Sequence, residues 1–110
     1  MQVKELKTSL LMDIYHSLLT EKQYSVMDMY FNLDYSLSEI AENEGITRQG
    51  VLDLIRRSEQ KLLEYEEKLQ LMKKFEITEK SLTTIENLAL GPDKDKILNA
   101  VAEIRSAWEE

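Results

Sequence analysis

Apolar and polar positions alternate with the period of a helix along almost the whole chain. Over residues 3–19 the apolar side chains Val3, Leu6, Leu10, Ile14 and Leu18 recur at steps of three or four, which predicts one buried face of a first helix. Thr20 is placed to cap a second helix, with Glu21 at its positive end. That helix is predicted to run to about Leu33, with Tyr24, Met27, Tyr30 and Phe31 as bulky core members, and 32–35 form a turn. A short third helix begins after Ser36. From Arg48 onward Val51, Ile55, Ser58, Leu62, Tyr65, Leu69 and Met72 recur at alternating steps of four and three, a heptad seam with one polar member. Past Gly50 no Gly or Pro intervenes before Phe75. One helix over 48–75 would be roughly 40 Å long and would need a surface to cover its far half. Two more helices are predicted. One spans about Thr78–Leu90, with Leu82, Ile85 and Leu88 or Ala89 inward. After the stop-and-restart signal Gly91-Pro92-Asp93, with Asp93 as cap, a last helix carries Ile97, Leu98, Val101, Ile104, Ala107 and Trp108. The expected fold is all-α: a helical domain over 1–75 with a C-terminal packing or oligomerisation element over 76–110.

The segment 36–57 reads as a helix-turn-helix, the unit that offers a short helix to a DNA groove. Ala41 is small where the second helix crosses the first, and Gly45 suits the positive φ that ends the first helix sharply. Ile46 plugs the corner, and Val51 with Leu54 seat the second helix. Ser36 with Glu39 fits a capping box, and Thr47 is placed to cap the second helix. Glu44 stands where such motifs place an apolar residue.

Composition narrows the function classes. The 110 residues, 43% of them apolar, suffice for one core; three Gly and one Pro favour uninterrupted helices. No apolar run reaches the roughly 18 residues that span a bilayer, so no membrane insertion is expected. No N-terminal signal core is visible, so the expected location is the cytoplasm. With no cysteine and a single histidine, His16, neither a disulfide nor a metal cluster is expected. No phosphate loop and no nucleophile with a base at a meaningful spacing occur, so neither catalysis nor a cofactor is expected. The net charge of −7 opposes tight non-specific binding to nucleic acid. Its distribution softens the objection: from Thr47 to Lys61 the balance is four basic residues against two acidic.

With Val51 at the centre of the buried face, 100° per residue sends Gln49, Asp53, Arg56 and Gln60 outward, with Arg57 at the edge and Arg48 at the helix start. Arg and Gln can make paired hydrogen bonds to guanine and adenine edges. Ser36, Thr47 and the helix-start N–H groups can hold phosphates, and Arg57 and Lys61 can add phosphate contacts. Asp53 could accept from cytosine, be repelled by phosphate, or pair with Arg56 or Arg57. The candidate DNA-binding residues are therefore Ser36, Thr47, Arg48, Gln49, Asp53, Arg56, Arg57 and Lys61. A solvated or protein-facing surface is the competing reading of the same face. The candidate self-association seam is Leu62, Tyr65, Leu69 and Met72, with Trp108 near the terminus; coverage within one chain competes with a homodimer.

The stretch from about Ser9 to Phe75 resembles the YlxM family of small bacterial proteins. The resemblance rests on Tyr15-His-Ser-Leu-Leu-Thr20, Ser36-Leu-Ser-Glu-Ile-Ala41, Thr47-Arg-Gln-Gly-Val51, Tyr65-Glu-Glu-Lys-Leu69 and Lys73-Lys-Phe75. The helix-turn-helix is similar to the promoter-reading fourth region of sigma factors. The resemblance implies an all-helical fold, Arg48, Gln49 and Asp53 at the start of the recognition helix, and a link to the signal recognition particle pathway, because genes of the family lie beside that for the particle's GTPase. Two functions follow as expectations: a DNA-binding regulator, or a non-catalytic adaptor of the targeting machinery that contacts protein or RNA.

Overall fold

The computed structural model describes residues 3–109. They form helices α1 (Val3–Tyr15), α2 (Glu21–Phe31), α3 (Leu37–Glu44), α4 (Arg48–Leu69), α5 (Leu71–Leu88) and α6 (Lys94–Trp108), with a 3₁₀ turn at His16–Leu18. The fold is all-α, and the chain divides into two compact units, 1–69 and 70–110.

In the first unit α1, α2 and α3 all pack on α4. Val51, Ile55, Ser58 and Leu62 form the buried stripe of α4. Met27 and Phe31 of α2 join the core as the bulky pattern predicted, along with Val26 and Met29; Tyr24 is half-buried and Tyr30 exposed. Ser58 is fully buried and keeps its hydroxyl satisfied inside its own helix, donating to the Leu54 carbonyl at 2.7 Å. The polar member of the seam thus leaves no orphaned group, and its small size lets a neighbouring helix approach. α2 opens on a reciprocal capping box: the Thr20 hydroxyl accepts from the Gln23 N–H at 3.1 Å, and the Gln23 side chain accepts from the Thr20 N–H at 2.9 Å. At the far end of α4, Tyr15 donates to Glu66 Oε1 at 2.6 Å and Tyr65 donates to the Leu18 carbonyl at 3.3 Å, so two tyrosines tie the end of α1 to α4. His16 lies exposed, its ring edge-on to Tyr24 at 4.3 Å.

Two further expectations for this unit are corrected. The buried face of α1 is Thr8, Leu11, Met12 and Tyr15, whereas Leu6 and Leu10 are 51% and 45% exposed and Leu18 in the following turn is also exposed; the side chain of Val3 lies outside the described residues. Both stripes have helical period. The one with Tyr15 wins because it closes on α4 with a core and a hydrogen bond together. The helix expected over 48–75 is two helices. Gln70 takes a left-handed backbone (φ 54, ψ 32) that stops α4 at Leu69, and its carbonyl accepts from Lys74 N–H as α5 begins. The long-helix argument for an uncovered seam therefore loses its premise: Leu62 is wholly buried and Tyr65 is engaged, both within the first unit.

The second unit is a helix hairpin, α5 against α6. Gly91-Pro92-Asp93 separates the helices as predicted, but the Asp93 side chain makes no cap hydrogen bond and instead pairs with Lys96 at 3.7 Å. Near the open end Trp108 donates from its indole N–H to Thr78 Oγ1 at 2.7 Å, and its ring meets the edge of Phe75 at 5.8 Å.

Candidate nucleic-acid interface

The corner of the motif is built as its residues dictate. The Ser36 hydroxyl accepts from the Glu39 N–H and the Glu39 carboxylate accepts from the Ser36 N–H, both at 3.1 Å, so α3 starts on a complete capping box. At its other end Gly45 sits at φ 68, ψ 33 and the Ile46 N–H returns to the Ala41 carbonyl at 3.1 Å. Ile40 and Ala41 are buried where α3 meets α4, and Ile46 is half-buried in the corner; Glu44, the departure from the usual pattern, is half-buried too. Thr47 caps α4 from its hydroxyl, which accepts from the Gly50 N–H at 2.9 Å. The role of Gly50 beside this cap escaped the sequence reading. A Cβ there would lie 3.1 Å from Thr47 Oγ1, so the missing side chain makes room for the cap. The signal was present in the spacing Thr47-x-x-Gly50.

The exposed side of α4 carries Gln49, Asp53, Arg56 and Gln60, with Arg48 at the helix start and Arg57 and Lys61 along one edge. These are the residues expected there, and Ser36 and Thr47 stand exposed at the starts of α3 and α4. None of Arg48, Arg56, Arg57 and Lys61 is within ion-pair distance of a carboxylate among the described residues. The partner expected for Asp53 is different. Its carboxylate accepts from Gln49 Nε2 at 3.1 Å, and the Arg57 guanidinium reaches the Asp53 main-chain carbonyl at 3.4 Å instead of the side chain. Asp53 therefore holds Gln49 and makes no ion pair with Arg56 or Arg57. Gln60 is held likewise, donating to Glu64 Oε1 at 3.4 Å.

Beside this surface a shallow groove of about 420 Å³ runs between α2 and α4, with Tyr30, Leu52 and Leu63 as its apolar wall and Arg56, Glu59 and Gln60 along its rim. Among the described residues no three of His, Cys, Asp or Glu gather as metal ligands, and no helix is long and apolar enough to cross a membrane. Of the residues expected on a self-association seam, Leu62 is buried and Tyr65 half-buried in the first unit, Leu69 is exposed at the end of α4, and Met72 and Trp108 lie in the second unit.

Comparison with known proteins agrees with this architecture. The chain is 43% identical over 100 residues to a protein of Bacillus velezensis strain FZB42, covering 91% of each chain. It is 42% identical over 100 residues to YlxM of Bacillus subtilis strain 168, again covering 91% of each, and 48% identical over 91 residues to a protein of Shouchella clausii, covering 83% of each. The family model UPF0122, described as "Putative helix-turn-helix protein, YlxM / p13 like", matches residues 2–101, a span that includes all of α1 to α5 and about half of α6. The chain belongs to the YlxM family of helix-turn-helix proteins.

Proposed function

We propose that the protein is a DNA-binding regulator that reads a site with the first half of α4. The observation that carries this is the row Arg48, Arg56, Arg57 and Lys61, free of ion pairs, on the outer side of the second helix of a helix-turn-helix. Arg48 and Gln49 reach base edges from the helix start, and Arg56 follows two turns later. Arg57, Lys61 and the hydroxyls of Ser36 and Thr47 hold phosphates. Asp53 holds the Gln49 amide along α4, a hydrogen bond that is exchanged for a base edge on binding. With so few cations on an acidic body, binding depends on base contacts more than on bulk charge, and the salt dependence is shallow: neutralising about three or four phosphates gives a log–log slope of roughly −3. The regulator works in the cytoplasm, and the genes it controls concern protein targeting, a reading that rests on the family's gene neighbourhood beside the signal recognition particle GTPase. As a homodimer it would present two reading helices to a palindromic site with half-sites about 34 Å apart.

An adaptor that contacts protein or RNA components of the targeting machinery is the second reading. It is favoured by the half-apolar groove beside Arg56 and by the net charge of −7. Selection of bound fragments from random genomic DNA at low and physiological salt, followed by sequencing, separates the two. Enrichment of one motif supports the regulator, and retention of no fragment at either salt overturns it.

A further inference from the structure

The α5–α6 hairpin is one half of a core. Its 41 residues bury only two side chains among those described, Ser81 and Ala100, both small. A segment of this size without a core needs a disulfide, a metal or another chain to hold it. The chain has no cysteine, and no metal-ligand group is found among the described residues.

Ser81 and Ala100 mark the line along which α5 and α6 touch. Measured from that line at 100° per residue, Leu71, Phe75 and Leu82 of α5 lie on one rotational side, and Val101 and Trp108 of α6 lie on the same side of theirs, with Leu98 at its outer margin. The helices run antiparallel, as the bonds Trp108 to Thr78 and Ser81 to Glu103 require. Equal rotation in antiparallel helices points the same way, so both stripes open on one face of the hairpin. Phe75, Leu82, Leu98 and Trp108 on that face are each at least 40% exposed. The opposite face carries polar groups such as Lys73, Lys80 and Asn99.

We infer that this open face is covered by the same face of a second copy of the chain, the two hairpins closing into a four-helix bundle. Charge names the occupant. The rim of the open face is acidic on α5, at Glu79 and Glu86, and basic on α6, at Lys94 and Arg105. None of the four has an ion-pair partner among the described residues. A two-fold axis parallel to the helices sets α5 beside α6 of the second copy at unchanged height. Glu79 then meets Arg105 of the second copy, and Glu86 comes within reach of its Lys94. A face of this kind complements itself, as an isologous contact requires. Two helices about 10 Å apart and about 25 Å long present a face of roughly 500 Å², below the roughly 800 Å² per partner of a standard interface, so the charge pairs carry part of the contact.

This deepens the two-headed reading above by moving the contact from the α4 seam to α5 and α6, and its test involves no DNA, so either idea can fail alone. Sedimentation velocity of the full chain at tens of micromolar is expected to give a dimer. Leu82→Glu is expected to weaken it at least tenfold while Leu69→Glu leaves it unchanged. Glu79→Arg and Arg105→Glu are each expected to weaken the dimer, and the two together to restore it, a rescue that a merely misfolded hairpin would not give. A monomeric wild type overturns the inference. So does a dimer that Leu69→Glu dissociates and Leu82→Glu does not, or a charge-swapped double variant no tighter than either single.

Discussion

The N-terminal unit and the C-terminal hairpin are both built of amphipathic helices, yet they differ in what those helices accomplish. In the first unit α4 is wrapped on three sides, and Val51, Ile55, Ser58 and Leu62 are all buried along it. In the hairpin two helices of similar length leave their large apolar side chains half-exposed or exposed. Helical periodicity alone therefore says that a face wants burial, not where the burial comes from. Three helices can enclose a fourth; two cannot enclose each other.

The contrast is open to direct attack. Leu62→Ala empties a wholly buried site in the first unit and should cost about 2–5 kcal/mol in denaturant unfolding. The same truncation at Leu90, which is 92% exposed, should stay within about 0.5 kcal/mol; equal losses at both sites would erase the distinction between the two units. Gly45→Val should lower stability by about 1–2 kcal/mol through backbone strain alone, since a Cβ there meets nothing within 4 Å. Gly45→Asn should recover much of that loss, because asparagine tolerates the left-handed region. Arg48→Ala should cost about 1–3 kcal/mol of affinity for a selected DNA site and leave the melting temperature unchanged, which separates the reading surface from the core beneath it. Unaltered binding by both Arg48→Ala and Arg56→Ala would put the interface elsewhere. Ser36→Ala is expected to remove about 1 kcal/mol with the cap of α3; a larger fall in DNA affinity than in stability would assign its hydroxyl to phosphate as well.

What could be read from the sequence follows the range of the forces involved. The motif was legible because its determinants are local: Ser36 with Glu39, Gly45 after Ala41, and Thr47 before the helix are each decided within four residues. The outward set on α4 was legible for the same reason, once Val51 fixed the phase. The inward phase of α1 was not, because Leu6, Leu10 and Ile14 repeat as regularly as Leu11, Met12 and Tyr15, and the choice is made by Glu66, 51 residues beyond Tyr15. The break at Gln70 was hidden too. Glutamine favours helices, so its left-handed backbone reflects the surroundings and not the residue. The partner of Asp53 was missed because Gln49 and Arg57 stand at equal distance along the helix, and hydrogen-bond geometry, not charge, decides between them.

The central position of α4 also has a consequence for the order in which the protein is made. Translation delivers α1, α2 and α3 first, and every one of them finds its main packing surface on α4, the last helix of the first unit. Until roughly residue 62 has left the ribosome, Met27, Phe31 and Ile40 have little to settle against, although the caps at Thr20 and Ser36 already define where their helices start. The nascent chain thus carries its local punctuation early and acquires a core only at the end, in one step, when the fourth helix arrives.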